Sequence, residues 1–217
     1  MKLDAISVGR PKEMEWEGRK FYTSIFKTPL ATPVKVSFEN IEGDRQSDLK
    51  LHGGSTRTVS VYPSEYYEFW KKELNTNNLP WGYFGENLNI SGGVFEQDVQ
   101  VGDRFTIGTV EFEALQPRFP CYKLAMKMDD SKWLEVFLNS GKTGFYFGVV
   151  KEGIIAPGDI VKQIHNEKNS ISIQDITSLY LINKNNKPLL EKAINVRRLT
   201  PSWKEYFEKQ LTKLNKT

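Results

Sequence analysis

Three short segments carry side chains whose types and spacing could do chemistry. The first is Gln116-Pro117-Arg118-Phe119-Pro120-Cys121-Tyr122-Lys123-Leu124, which holds the chain's single cysteine. Its two prolines stiffen the backbone and restrict the residues before them. Arg118 and Lys123 flank the sulfur and would favour its thiolate. A thiolate is both a nucleophile and a soft metal ligand. A lone cysteine also has a plainer fate, an inert place in the core. The surrounding loop is polar, basic and rigid, unlike a core strand, but the residues alone leave both readings open.

The second segment runs from Gly43-Asp44 through Lys50-Leu51-His52-Gly53-Gly54-Ser55-Thr56-Arg57. Gly53 and Gly54 let backbone N–H groups approach a ligand closely. Lys50, His52 and Arg57 add donors, and together they could cradle a phosphate. A β-turn with solvated charges is the competing reading. In the third segment, Gly85-Glu86-Asn87-Leu88 follows Trp81-Gly82-Tyr83-Phe84. Asn87 offers a donor and an acceptor, suited to the edge of a pterin or purine. A turn entering a strand explains the same residues.

Other chemistries are excluded. Gly141-Lys142-Thr143 looks like the end of a phosphate loop, but Val136 stands where its first glycine belongs. There is no G-x-G-x-x-G fingerprint and no cysteine pair for zinc or iron–sulfur. His52 and His165 are the only histidines. Tyr66, Tyr67, Phe69 and Trp70 recur at helical spacing and read as core. Arg197, Arg198, Lys204, Lys209 and Lys213 alternate with Glu205 and Glu208, which reads as a solvated helix face, with a nucleic-acid patch the second reading.

These segments must be positioned by 217 residues with 30 basic and 27 acidic side chains. The net charge of +3 permits an anionic small ligand without demanding nucleic acid. One cysteine excludes an intrachain disulfide, so a reducing, cytoplasmic location is expected. No run approaches the roughly 20 apolar residues of a membrane span. The expected fold is mainly β with α. Strands are predicted near 2–8, 34–38, 58–62, 104–107, 110–115, 145–151 and 160–164, spaced as in a closed or partly closed barrel. Helices are predicted at 65–74, capped by Ser64, and from Asp130 or Ser131 to Leu138. After the polar linker 165–169 glycine disappears and three short helices follow. They begin at Ser172, near Lys187 and at Thr200-Pro201. Leu179, Ile182, Leu189, Leu190, Ile194, Leu199, Trp203, Phe207 and Leu211 would form their core. The expected division is 1–165 for the barrel and 170–217 for the helices.

Taken in order, these segments resemble the MOSC-domain family, more closely its YiiM-type, 6-hydroxylaminopurine reductase-like members. The matching residues are Gly43-Asp44, Gln46, His52-Gly53-Gly54 with Arg57, Tyr62-Pro63, Gly85-Glu86-Asn87-Leu88, Gly102-Asp103, Pro117-Arg118 and Pro120 to Leu124. Leu199-Thr200-Pro201-Ser202-Trp203 resembles the family's small C-terminal helical domain. The resemblance implies a β-barrel domain and a molybdenum cofactor, a pterin dithiolene holding molybdenum. Cys121 falls at the family's protein thiolate ligand to the metal and is the implied catalytic residue. Lys50, His52, Gly53, Gly54, Arg57, Asn87 and Arg118 fall where cofactor-binding groups are expected. The implied reaction is reduction of N-hydroxylated bases and hydroxylamines to amines, fed by a separate electron-donor protein. The alternative is a carrier module that passes on the cofactor, or a sulfur atom held by Cys121. Phe119 departs from the serine often found there in relatives, which bears on pocket shape.

Overall fold

A computed structural model describes residues 1–47 and 56–216. Its main body is one large, mostly antiparallel sheet. Eight strands order as β12-β8-β9-β10-β6-β7-β1-β4 among the described residues. They are β1 (Lys2–Val8), β4 (Thr28–Leu30), β6 (Val59–Pro63), β7 (Leu88–Ser91), β8 (Arg104–Ile107), β9 (Val110–Pro117), β10 (Phe145–Lys151) and β12 (Val161–His165). β6 and β7 are the parallel pair. The remaining strands form two small ladders. β5 (Val34–Val36) pairs with β11 (Gly153–Ile155), and β2 (Lys12–Trp16) pairs with β3 (Arg19–Thr23).

A closed barrel is not found. The ends of the sheet approach each other, since Lys2 bridges Ile160 and Val161 N donates to Met1 O at 2.9 Å. The Gly158–Asp159 turn takes up that contact: Leu3 N donates to Asp159 O, and Gly158 N to Leu3 O. β12 then leaves β1 and pairs with β8, so one bridge stands where closure needs a ladder.

The helices depart from expectation in instructive ways. α1 (Tyr66–Glu73) starts after Glu65, and Ser64 does not cap it. Ser64 Oγ instead donates to Asp4 Oδ2 at 2.6 Å, tying the helix entry to β1. α2 (Tyr122–Met128) was unforeseen and begins directly after Cys121. α3 (Trp133–Asn139) has Lys132 at its N-cap, past the expected Asp130 or Ser131, and no side chain caps it. In the tail, α4 (Ile173–Leu181) is capped by Ser172 Oγ, which accepts from Asp175 N at 3.0 Å. α5 (Lys187–Ile194) is capped by Asn186. α6 (Pro201–Leu214) has proline in its first turn.

The tail shares the sheet's core. Ile173, Ile176, Leu179, Leu190, Leu199 and Phe207 are buried in one cluster with Val101, Phe105, Phe112 and Phe147. Arg198 forks onto both carboxylate oxygens of Glu113 on β9, adding a charge-assisted clamp. Ile182 is a correction, at 80% exposed. α4 ends before it, and its side chain follows the departing loop. A second cluster joins Tyr62, Trp70, Phe84, Leu124 and Phe137, packing α1, α2 and α3 against one another and β6. None of the described helices is long and apolar enough to cross a membrane.

Candidate active site

One cavity collects residues from six separate stretches of chain. It is lined by Arg57 and Ser60 around the start of β6, Asn87 before β7, and Arg118, Phe119 and Cys121 after β9. Lys123 of α2 and Tyr146 of β10 join them, with Lys27 and Asp44 from loops. It holds about 650 Å³ of empty space counting its open mouth.

Cys121 is partly exposed and stands in extended conformation, φ −125° and ψ 173°, at the residue before α2. The turn is closed by Leu124 N donating to Cys121 O at 2.8 Å. Lys123, expected beside the sulfur, is largely buried and donates instead to Ser47 Oγ at 2.8 Å.

Arg118 is buried, and its backbone N–H donates to Gly144 O at 3.0 Å. Its Nη2 donates to Phe84 O, while its Nη1 is buried with no hydrogen-bond partner among the described residues. A buried donor left unmade costs about 1–3 kcal/mol, more when charged, so this nitrogen is primed for an acceptor. The turn that carries Phe84 is tied by Glu86, whose Oε1 accepts from Gly82 N at 3.1 Å, from Asn89 Nδ2 and from Tyr67 Oη. The Gly85-Glu86-Asn87 segment thus braces the guanidinium's anchor.

Asn87 lines the cavity but spends its amide inside the protein. Its Nδ2 donates to Ser7 O at 3.1 Å and Asp44 Oδ2 at 2.9 Å. Its Oδ1 accepts from Ser60 N at 3.1 Å and Ser60 Oγ at 2.9 Å. All four positions of the amide are filled. Its geometry is that of a brace for Asp44 and Ser60.

Asp44 also accepts from Gly9 N at 2.7 Å and pairs with Lys27 Nζ at 2.5 Å. Both side chains are nearly inaccessible. Burial holds the Lys27 ammonium below the usual lysine range. Asp44 opposes that shift, and Arg118 adds to it. Tyr146 is pushed up by burial, with Arg118 and Arg57 pulling the other way.

Of the residues singled out from sequence, Arg57, Asn87, Arg118 and Cys121 come together here. Lys50, His52, Gly53 and Gly54 lie outside the described residues. Lys27 and Tyr146 were missed. Lys27 sits in no motif, and Tyr146 reads as one more strand aromatic. Asp44 was visible only as the partner of Gly43, whose φ of 87° makes the turn.

No group of three or more His, Cys, Asp or Glu among the described residues could hold a metal by itself. A metal at Cys121 would have one protein sulfur and would need its other ligands from a cofactor. The thiol, the unpartnered guanidinium nitrogen and the open cavity fit such a group, a soft metal with anionic substituents.

A family model described as MOSC domain matches residues 48–162. The chain is 35% identical over 210 residues to the Bacillus subtilis protein named "Uncharacterized protein YflK", covering 97% of this chain and 94% of that one. It is 27% identical over 162 residues to a Gibberella moniliformis protein named "Reductase", covering 73% of this chain and 28% of that one. The solved structure of YiiM from Geobacillus stearothermophilus superposes with a TM-score of 0.79 at 32% identity, covering 96% of this chain and 97% of that one.

Proposed function

The chain belongs to the MOSC domain family and is YiiM-like, and from that premise we propose a molybdenum-cofactor-dependent reductase that converts N-hydroxylated compounds to amines. The family is associated with the molybdenum cofactor. The distant relative named a reductase supports reduction in general. The substrate class, 6-hydroxylaminopurine-like bases and hydroxylamines, is our reading. So are a cytoplasmic location and a separate electron-donor protein.

One observation carries the proposal: Cys121 and Arg118 line the same cavity, and the Arg118 guanidinium keeps one buried nitrogen, Nη1, without a hydrogen-bond partner among the described residues. Cys121 would hold the metal through sulfur. Arg118, with Arg57 and the adjoining Lys50–Gly54 stretch, would hold the cofactor's anionic groups. The bound cofactor supplies two-electron redox chemistry. The balance is R–NH–OH plus two electrons and two protons, giving R–NH2 and water, with the N–O bond broken. The chain's own part is binding, orientation and proton supply. Lys27 Nζ and Tyr146 Oη are proton-bearing atoms in the wall, and burial makes the Lys27 proton easier to release.

The test is molybdenum and pterin content of protein from a cofactor-producing host, wild type beside Cys121→Ser, with turnover of an N-hydroxylated substrate by an artificial reductant. Near-stoichiometric metal and turnover in wild type, with metal lost in the variant, is expected. Cofactor bound without turnover would favour the carrier reading. A folded wild type that takes up no molybdenum would overturn both.

A further inference from the structure

We propose that Phe119 is the specificity wall of this site, a ring against which substrates bearing N–OH on a flat aromatic system stack, held in place by the C-terminal helices. The proposal rests on the reductase reading and deepens it.

Phe119 and Tyr146 bring the cavity its two aromatic rings, and Ile25 is its other large apolar side chain; the rest of its described lining is mostly lysine, arginine, hydroxyl and amide groups. Phe119 lies between Arg118 and Pro120, one residue from the proline that leads into Cys121. A substrate whose N–O bond reaches the sulfur-bearing end of the cavity therefore has this ring beside it.

The ring is clamped from behind. Its centroid is 5.1 Å from Tyr180 of α4 and 5.9 Å from Trp203 of α6, at tilts near 50°. Tyr180 and Trp203 meet edge to face at 5.4 Å and 85°. Trp203 is tied to the sheet, since its Nε1 donates to Gln116 Oε1 at 3.2 Å. Gln116 Nε2 donates onward to Thr56 O at 2.9 Å, beside Arg57. The tail thus reaches the cavity at two points, the Phe119 ring and the backbone before Arg57. Packing on two other rings restricts the rotamers of Phe119, so little freedom is lost when a ligand stacks on it. An aliphatic hydroxylamine has no π-face and gains little from the wall.

The test compares cofactor-loaded wild type, Phe119→Leu and Phe119→Tyr with an artificial reductant. The substrates are 6-hydroxylaminopurine and N-methylhydroxylamine. Losing base–aromatic stacking commonly costs roughly tenfold to a hundredfold in affinity. Phe119→Leu should lose that much in kcat/KM for the purine and stay within about threefold for the aliphatic compound. Phe119→Tyr, which keeps the ring, should retain the purine rate within a few-fold. Equal losses on both substrates, or none on either, would overturn the proposal. A second readout does not need turnover: adenine, the amine product, should bind wild type and Phe119→Tyr at least tenfold more tightly than Phe119→Leu by calorimetry. If wild type reduces neither substrate, the reductase reading fails while the calorimetric comparison still decides the wall. Adenine binding that ignores Phe119, or no adenine binding by wild type, sinks it.

Discussion

Asn87 Nδ2 donates to Asp44 Oδ2 at 2.9 Å, and with that bond the cavity's most ligand-like amide becomes part of its frame. The amide spans β1, β6 and the Asp44 turn through Ser7, Ser60 and Asp44. Asp44 is thereby aimed at Lys27.

Replacing Asn87 by aspartate tests this framing. The introduced carboxylate cannot donate and would face both Ser7 O and the Asp44 carboxylate. Two bonds are lost and like charges are buried together, so a loss of roughly 3–5 kcal/mol is expected at neutral pH. The sign with pH follows. The new acid's pKa is raised by Asp44, so the penalty is full above it and shrinks as acid protonates the group and restores a donor. Urea unfolding of Asn87→Asp and wild type at about pH 7 and about pH 5 reads this. A penalty that does not shrink in acid would mean Asn87 is not bonded to an ionised Asp44.

How far the site was legible in sequence depends on how local each signal was. Cys121 stood out because it is alone, after two prolines and between two bases. Arg57 and Arg118 stood out because they adjoin recognisable turns. Asn87 was found, but its partners were not, because Ser60 is 27 residues away and Asp44 is 43 away. Lys27 was invisible because only tertiary folding brings it to Asp44. The β2–β3 hairpin was missed for a local reason. Its two-residue loop is Glu17-Gly18, with φ of 49° and 72°, and glutamate is a poor signal for such a turn. Its strands face solvent for much of their length, which blurs the period-2 pattern. α2 was hidden because Pro120 reads as the end of a loop, not the approach to a helix.

Gly144 offers a prediction about how the cavity is anchored. Its φ is +75°, and a β-carbon there would lie 2.4 Å from Val61 O and 2.9 Å from a ring carbon of Tyr62. Val61 pairs with Phe145 across β6 and β10, so its carbonyl cannot step aside freely. Gly144 N donates to Glu96 Oε1 at 2.6 Å and Gly144 O accepts from Arg118 N, so the strain passes directly to Arg118. Gly144→Ala should cost roughly 3 kcal/mol or more, from left-handed strain plus overpacking. Chemical denaturation measures it. A loss below about 1 kcal/mol would show that the turn relaxes and does not hold Arg118's backbone.

Lys127 makes the last prediction, on pH. Its Nζ donates to Ile25 O at 3.3 Å and lies 4.8 Å and 5.3 Å from the ring centres of Tyr83 and Phe26. Burial pulls its pKa down to about 8, opposed by Glu86 and reinforced by Arg118 and Lys27. In the unfolded chain it titrates near the ordinary 10.5. Between those values the unfolded state holds more protons, so this lysine makes stability rise with pH across that window. Below about 8 the cost of burying the ammonium is present in full. The gap corresponds to roughly 3 kcal/mol at most, and the ring contacts return part of it by favouring the charged form. Lys127→Met keeps the apolar stem and removes the titration. The unfolding free energy of wild type minus Lys127→Met should therefore increase from about pH 7 to about pH 10, while shared groups cancel in the difference. A difference that stays flat across that range would mean Lys127 is solvated in the folded protein and its burial against Tyr83 and Phe26 is not maintained.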